Sequence, residues 1–183
     1  MSVLVAAHTL GEISAWRLSN LQMQKVLYIA HMLHLGRTAT PLFPERFEAW
    51  EWGPVVPTLY RHNKAFKSAP IQPFASGSYQ AGSTQFLAVE DAYALTRLMT
   101  PGQLISCLHK PGGAWEKHYD ASGSSVIQNS DIVDEFGKFV WPSNDAVAWA
   151  ERMAEEVAAR PSRYLDDSNE RAFRSRVLEA RIH

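Results

Sequence analysis

The chain has 183 residues, 46% of them hydrophobic and 20% charged, with a formal net charge of −1. That balance belongs to a folded globular protein, since disorder needs fewer apolar residues and more net charge; it also argues against a domain built to neutralise phosphates, which draws its affinity from a basic surplus. The single Cys107 allows no internal disulfide and no zinc-type cysteine pair, and no apolar run reaches the length of a signal h-region or membrane span, so a soluble, cytoplasmic protein is expected.

In chain order, Ser2 is placed to cap a first helix reaching about Trp16, with Val3, Ala6, Ala7 and Leu10 on one side and Gly11 as a weak point. Ser19 and Gln22 have capping-box spacing, flanked by Leu18 and Met23 as a hydrophobic staple. The helix they open runs to Leu35, with Gly36 as its expected stop. Apolar residues cover most of its circumference, which marks it as the central buried helix. One polar stripe interrupts them: Gln24, Tyr28 and His31, with Lys25 and His34 beside it.

Phe47 to Trp52 alternates over too short a span for a helix and predicts a strand, after which Gly53-Pro54 turns the chain. A third helix follows, with Pro54 or Pro57 in its first turn, and ends before Pro70. Residues 71–86, rich in Gly, Ser, Pro and Gln, predict a loop carrying one or two short strands. Helices are expected over Ala88–Met99, over Pro101–His109 with Thr100 as cap, briefly around Trp115–Tyr119, and over Asp131–Val140 behind Ser130. Trp141-Pro142 marks a boundary, beyond which Ser143 and Ser168 cap two further helices. The whole describes a mainly α fold, α+β only through a minor β element. A compact helical domain surrounds the central buried helix, with short strands near residues 46–52 and 71–87. It spans residues 1–140, and 141–183 form a helical extension.

Seven histidines raise the question of metal chemistry. His31 and His34 are three apart on one helix, but a zinc site needs a third ligand, which His62 supplies only if the fold happens to bring it there. The plainer reading makes them part of the polar stripe of a buried helix, so no cofactor is expected. Cys107 and His109 are two apart and point away from each other on a helix, which leaves Cys107 as a small core residue. Lys110-Pro111-Gly112-Gly113 lacks the glycine spacing of a phosphate loop and reads as a turn. The segment from Arg160 carries six Arg against four acidic residues. Arg171 and Arg174 in it are candidates for a partner contact, weighed against a solvated helix face paired internally.

The segment from Trp50 to Tyr60 is different. Trp50, Trp52 and Tyr60 surround Gly53, Pro54 and Val55. Buried, such rings form a satellite core in which each indole N–H needs an acceptor; exposed beside a rigid Pro-bearing turn, they are what an interface hot spot uses. Burial is favoured for Trp50, and alternation leaves Trp52 unassigned.

Met23-Gln24-Lys25-Val26-Leu27-Tyr28-Ile29-Ala30 resembles the "LQKLLYFA" helix of the Panacea domain, the SocA-like antitoxin family that includes phage-associated GepA-like proteins. The run Glu48 to Tyr60 resembles that family's "EAWxxGPVVPxxY" segment, Pro111 to Tyr119 its "PWxxxY" segment, and Val126 to Phe136 its closing helix, all in the family's order. The resemblance spans roughly residues 6–139, and residues from Trp141 onward lie outside it. It implies a non-enzymatic antitoxin that neutralises a cognate toxin, encoded next to it, by direct contact. It further implies an adaptor role, delivering the toxin to an ATP-dependent protease such as ClpXP. Two alternatives stand beside it: a DNA-binding regulator of its own operon, and a histidine-based metal enzyme.

Overall fold

In the computed structural model, residues 1–121 and 125–138 are described. The expected helices behind Ser143 and Ser168, the boundary at Trp141-Pro142, and Arg171 and Arg174 lie outside these residues.

Helix α1 (Val3–Ile13) stops before the expected Trp16, and Ser2 takes the N-cap position without a side-chain capping bond. Ala15 and Trp16 both adopt left-handed φ, 51° and 58°, and the Trp16 N–H donates back to the Gly11 carbonyl at 2.7 Å. Gly11 explains this sharp return: a Cβ there would sit 2.5 Å from the Trp16 ring. The residue that weakens the helix lets an indole lie on it.

Helix α2 (Asn20–Thr38) begins as the sequence predicts. Ser19 and Gln22 form the reciprocal capping box, and the staple residues Leu18 and Met23 are both buried in the core. Residues 20–35 of α2 are buried except Gln22, and the helix packs against most of the other helices and one strand of the sheet. Gly36 does not stop it. The helix continues to Thr38 and ends where Ala39 turns left-handed at φ 56°. Gly36 answers a packing demand instead, because a Cβ there would lie 2.2 Å from the ring of Phe136.

The expected strand becomes a hairpin. Strands β1 (Glu48–Trp50) and β2 (Gly53–Val55) pair antiparallel with Trp50 opposite Gly53, so Glu51-Trp52 forms the turn and Gly53-Pro54 belongs to β2. The left-handed residue of the hairpin is Gly53, at φ +97°. A third strand, β3 (Ser125–Val126), joins the other edge of β1 and completes a sheet of order β2-β1-β3.

The strand expected near residues 71–87 is absent among the described residues. That segment is too polar to alternate, and it lies over the helices as a strap held at two points. Ile71 N–H donates to the Leu18 carbonyl at 3.0 Å, beside an isolated bridge between Ser19 and Pro70. Tyr79 N–H donates to Thr9 Oγ1 and its hydroxyl to the Leu42 carbonyl, both at 2.9 Å.

Helix α3 (Pro57–Asn63) takes Pro57, not Pro54, in its first turn and passes into a 3-10 turn, Lys64–Phe66. Helix α4 (Thr84–Thr96) starts earlier than Ala88, with Ser83 accepting from the Phe86 N–H. In α5 (Pro101–Leu108) the Thr100 cap is completed by Gln103 into a second capping box. Short α6 (Ala114–His118) and α7 (Asn129–Lys138) close the described domain. It is mainly helical with one small sheet, and no described helix is long and apolar enough to cross a membrane.

Gly36→Ala tests the α2–α7 contact. Better helix propensity favours alanine by about 1 kcal/mol, but overpacking against Phe136 costs about 1–3 kcal/mol. A net loss of stability in urea unfolding is expected, restored in part by Phe136→Leu; a Gly36→Ala protein more stable than the parent contradicts the contact.

Candidate functional site

The polar stripe of α2 is buried, and most of its members hold a neighbouring segment. Gln24 uses its amide as a strand would use a peptide: Val56 N–H donates to Gln24 Oε1 at 2.9 Å, and Gln24 Nε2 donates to the Val56 carbonyl at 3.4 Å. Lys25, 1% exposed, donates from Nζ to the Pro54 carbonyl at 2.9 Å and pairs with no carboxylate among the described residues. Burial accordingly pulls its amine from 10.5 down to about 7. A Cβ at Gly53 would meet Lys25 Nζ at 3.1 Å and His109 Nε2 at 3.3 Å. Glycine is therefore required there twice, for its backbone conformation and for this approach.

One turn further, the Tyr28 hydroxyl donates to Glu135 Oε2 of α7 at 2.6 Å. The Ala114 N–H, in the first turn of α6, donates to the same oxygen at 3.3 Å. Burial raises the Glu135 carboxyl, while these two donors oppose the shift. The same burial raises the Tyr28 hydroxyl, with the Glu135 charge adding to it. Tyr28 thus ties α2 to α6 and α7 through one carboxylate.

His31 packs against the rings of Phe43 and Phe47, with centroids 4.8 and 5.4 Å away, and burial lowers it to about 4, so it is neutral. His34 turns aside to donate to the Thr40 carbonyl at 2.8 Å, and His62 packs on Phe74. The three do not converge, and among the described residues no group of three His, Cys, Asp or Glu could hold a metal ion. Cys107 is buried, and His109 stacks face to face on Trp115 at 3.5 Å.

Above the stripe stands the aromatic segment. Trp50 and Tyr60 are half-buried and meet edge to face at 5.0 Å. The Trp50 indole N–H donates to Glu48 Oε2, and the Trp50 carbonyl accepts from the Trp115 indole at 2.8 Å. Trp52 is 5% exposed, in a small apolar cluster with Leu21 and Ile105 against which Tyr60 packs. Gly53, Pro54 and Val55 are buried too. These four residues therefore support the face from beneath, and only Trp50 and Tyr60 of the group reach the surface.

Sequence reasoning missed Glu135, His109 and Trp115 as parts of this assembly. A signal existed for the first, since Glu135 lies three residues beyond buried Ile132 on one face of α7. Nothing local distinguishes it from the neighbouring Asp134, which stays at the surface.

The family model described as "Antitoxin SocA-like, Panacea domain" matches residues 23–116, from the polar stripe of α2 through α6. The protein named Antitoxin SocA from Caulobacter vibrioides is 30% identical over 129 residues, covering 64% of this chain and 69% of that protein. No solved structure matches.

Lys25 makes stability depend on pH with a definite sign. Unfolded, it holds its proton up to about 10.5; folded, it loses it near 7. Between these values the unfolded state binds the extra proton, so this group's contribution grows as pH rises, by about 1.4 kcal/mol per unit at most. Relative to Lys25→Met, the parent protein should gain stability from about pH 7 to about pH 9 in urea titrations. Parallel curves for the two proteins would show that Lys25 is not held uncharged by burial.

Proposed function

The chain belongs to the SocA-like Panacea antitoxin family, and on that premise we propose that it neutralises a toxin, encoded beside it, by direct contact through Trp50 and Tyr60. The observation that carries this reading is the aromatic pair itself. Two half-buried rings meet, Trp50 on the hairpin and Tyr60 on the helix that follows it, and the connecting backbone is bonded to buried side chains at Val56, Pro54 and Trp50. Aromatic anchors on a rigid support lose little freedom on association, and anchors of this kind dominate interface energetics. A net charge of −1 counts against the alternative of an operon-binding regulator.

Antitoxins can mask a toxin or hand it to a protease, and the likeness to SocA makes the second route worth separating from the first. Delivery to an ATP-dependent protease such as ClpXP would require a surface outside the toxin contact. Arg171 and Arg174 are proposed as a second contact, with the toxin or with such a protease.

Co-expression with the product of the adjacent reading frame tests the proposal. Trp50→Ala and Tyr60→Ala should each weaken the copurified complex by about tenfold or more, equivalent to at least 1.4 kcal/mol, and should reduce growth rescue while leaving the urea midpoint close to that of the parent. Rescue retained in a host lacking the protease assigns masking; rescue lost there, with toxin accumulating, assigns delivery. Full binding and protection after removal of residues 161–183 would withdraw Arg171 and Arg174. Undiminished binding by both aromatic variants would overturn the proposal.

A further inference from the structure

Charge is unevenly placed along this nearly neutral chain. Residues 52–89 contain no Asp or Glu, yet they carry Arg61, Lys64 and Lys67. All three are exposed. They lie within two turns of each other, on α3, at the start of the 3-10 turn and just past its end. Lys67 has a left-handed φ of 53°, and its N–H donates to the Lys64 carbonyl at 3.3 Å.

Some basic groups elsewhere on the domain are paired, although the exposed Arg17 and Arg97 likewise form no ion pair among the described residues. Arg37 meets Asp91 at 2.5 Å, and Lys117 lies between Asp131 at 2.7 Å and Asp134 at 3.5 Å. Among the described residues, none of Arg61, Lys64 and Lys67 forms an ion pair, and Arg61 reaches only the Thr58 hydroxyl of its own helix. An unpaired basic strip could be simple solvation. Its position argues otherwise, because Tyr60 precedes Lys64 by one helical turn and places the strip beside the Trp50–Tyr60 pair.

We infer that this strip is the charged flank of the toxin-binding face, and that it fits a partner presenting acidic side chains beside an apolar patch. The inference rests on the proposed function and adds the partner's chemistry to it. A protein is favoured over a nucleic acid by the other side of the pair. Glu48 and Glu51 stand on the hairpin next to Trp50, where they would repel a phosphate backbone crossing the rings. The strip therefore serves as a rim, steering the partner and setting its orientation while the rings supply the anchor.

Association kinetics with the purified toxin test this. Lys64→Glu and the triple reversal Arg61→Glu, Lys64→Glu, Lys67→Glu are compared with Arg97→Glu, an exposed control on the end of α4. The triple variant should associate at least about tenfold more slowly at about 50 mM NaCl, with the difference shrinking at about 500 mM as screening removes it. Lys64→Glu should show a smaller effect of the same kind and carries the test if the triple variant does not fold. Association matching that of Arg97→Glu at low salt overturns the inference while leaving the proposed function standing. Failure of the parent chain to bind the toxin overturns both. A short DNA duplex bound by the parent and released by the triple variant overturns the assignment to a protein.

Discussion

Gln24 lies on a helix buried all round, where its amide can be satisfied only by another buried polar group. It finds one in the backbone of Val56, just past the end of β2, and the two groups exchange donor and acceptor. This pairing satisfies the Val56 N–H, which would otherwise be left without a partner in an apolar core at a cost of about 1–3 kcal/mol, while the Val56 carbonyl also accepts from the Tyr60 N–H at 3.0 Å. It also fixes the hairpin relative to α2, on which most of the domain is assembled. Lys25 repeats the same device one residue later at the Pro54 carbonyl, and Tyr28 extends it to Glu135 and the first turn of α6.

The result is a core whose polar atoms act as registers. Apolar packing alone would let a three-stranded sheet of two- and three-residue strands slide on α2. Side chains bonded to defined backbone atoms do not permit that. Gly53 shows how closely the parts fit, since a Cβ there would crowd Lys25 and His109, in addition to the positive φ of its backbone. The cost is a lysine and a glutamate held away from water, with their ionisation shifted toward the neutral form. Such groups add little net stability and contribute specificity of arrangement.

Much of this was legible in the sequence, for local reasons. The Ser19–Gln22 capping box needs only residues three positions apart, and α2 began where it indicated. The stripe of Gln24, Tyr28 and His31, with Lys25 and His34 beside it, was readable because apolar residues fill most of the rest of the surface of α2. What failed depended on distant residues. Gly36 reads as a stop until Phe136 is seen packed on it, a hundred positions away in the chain. Gly53-Pro54 reads as a turn until the register with β1 moves the turn to Glu51-Trp52. Residues 71–83 carry polar turn chemistry, and only their two anchor points show that they form a strap. Trp52 could not be assigned from alternation because its burial comes from Leu21 and Ile105, on two other helices.

Function follows the same division. The motif residues that carry the family likeness are mostly internal and, on the proposed function, brace the exposed pair of Trp50 and Tyr60. The claim on which this depends is that Gln24 holds the hairpin in place. Native-state hydrogen exchange on Gln24→Leu tests it directly. Amides of Val56 and the β1–β2 hairpin should lose protection by about tenfold or more, equivalent to at least 1.4 kcal/mol, while amides of α1 and α4 keep theirs. Unchanged protection at Val56, or an equal loss across all elements, would contradict the account.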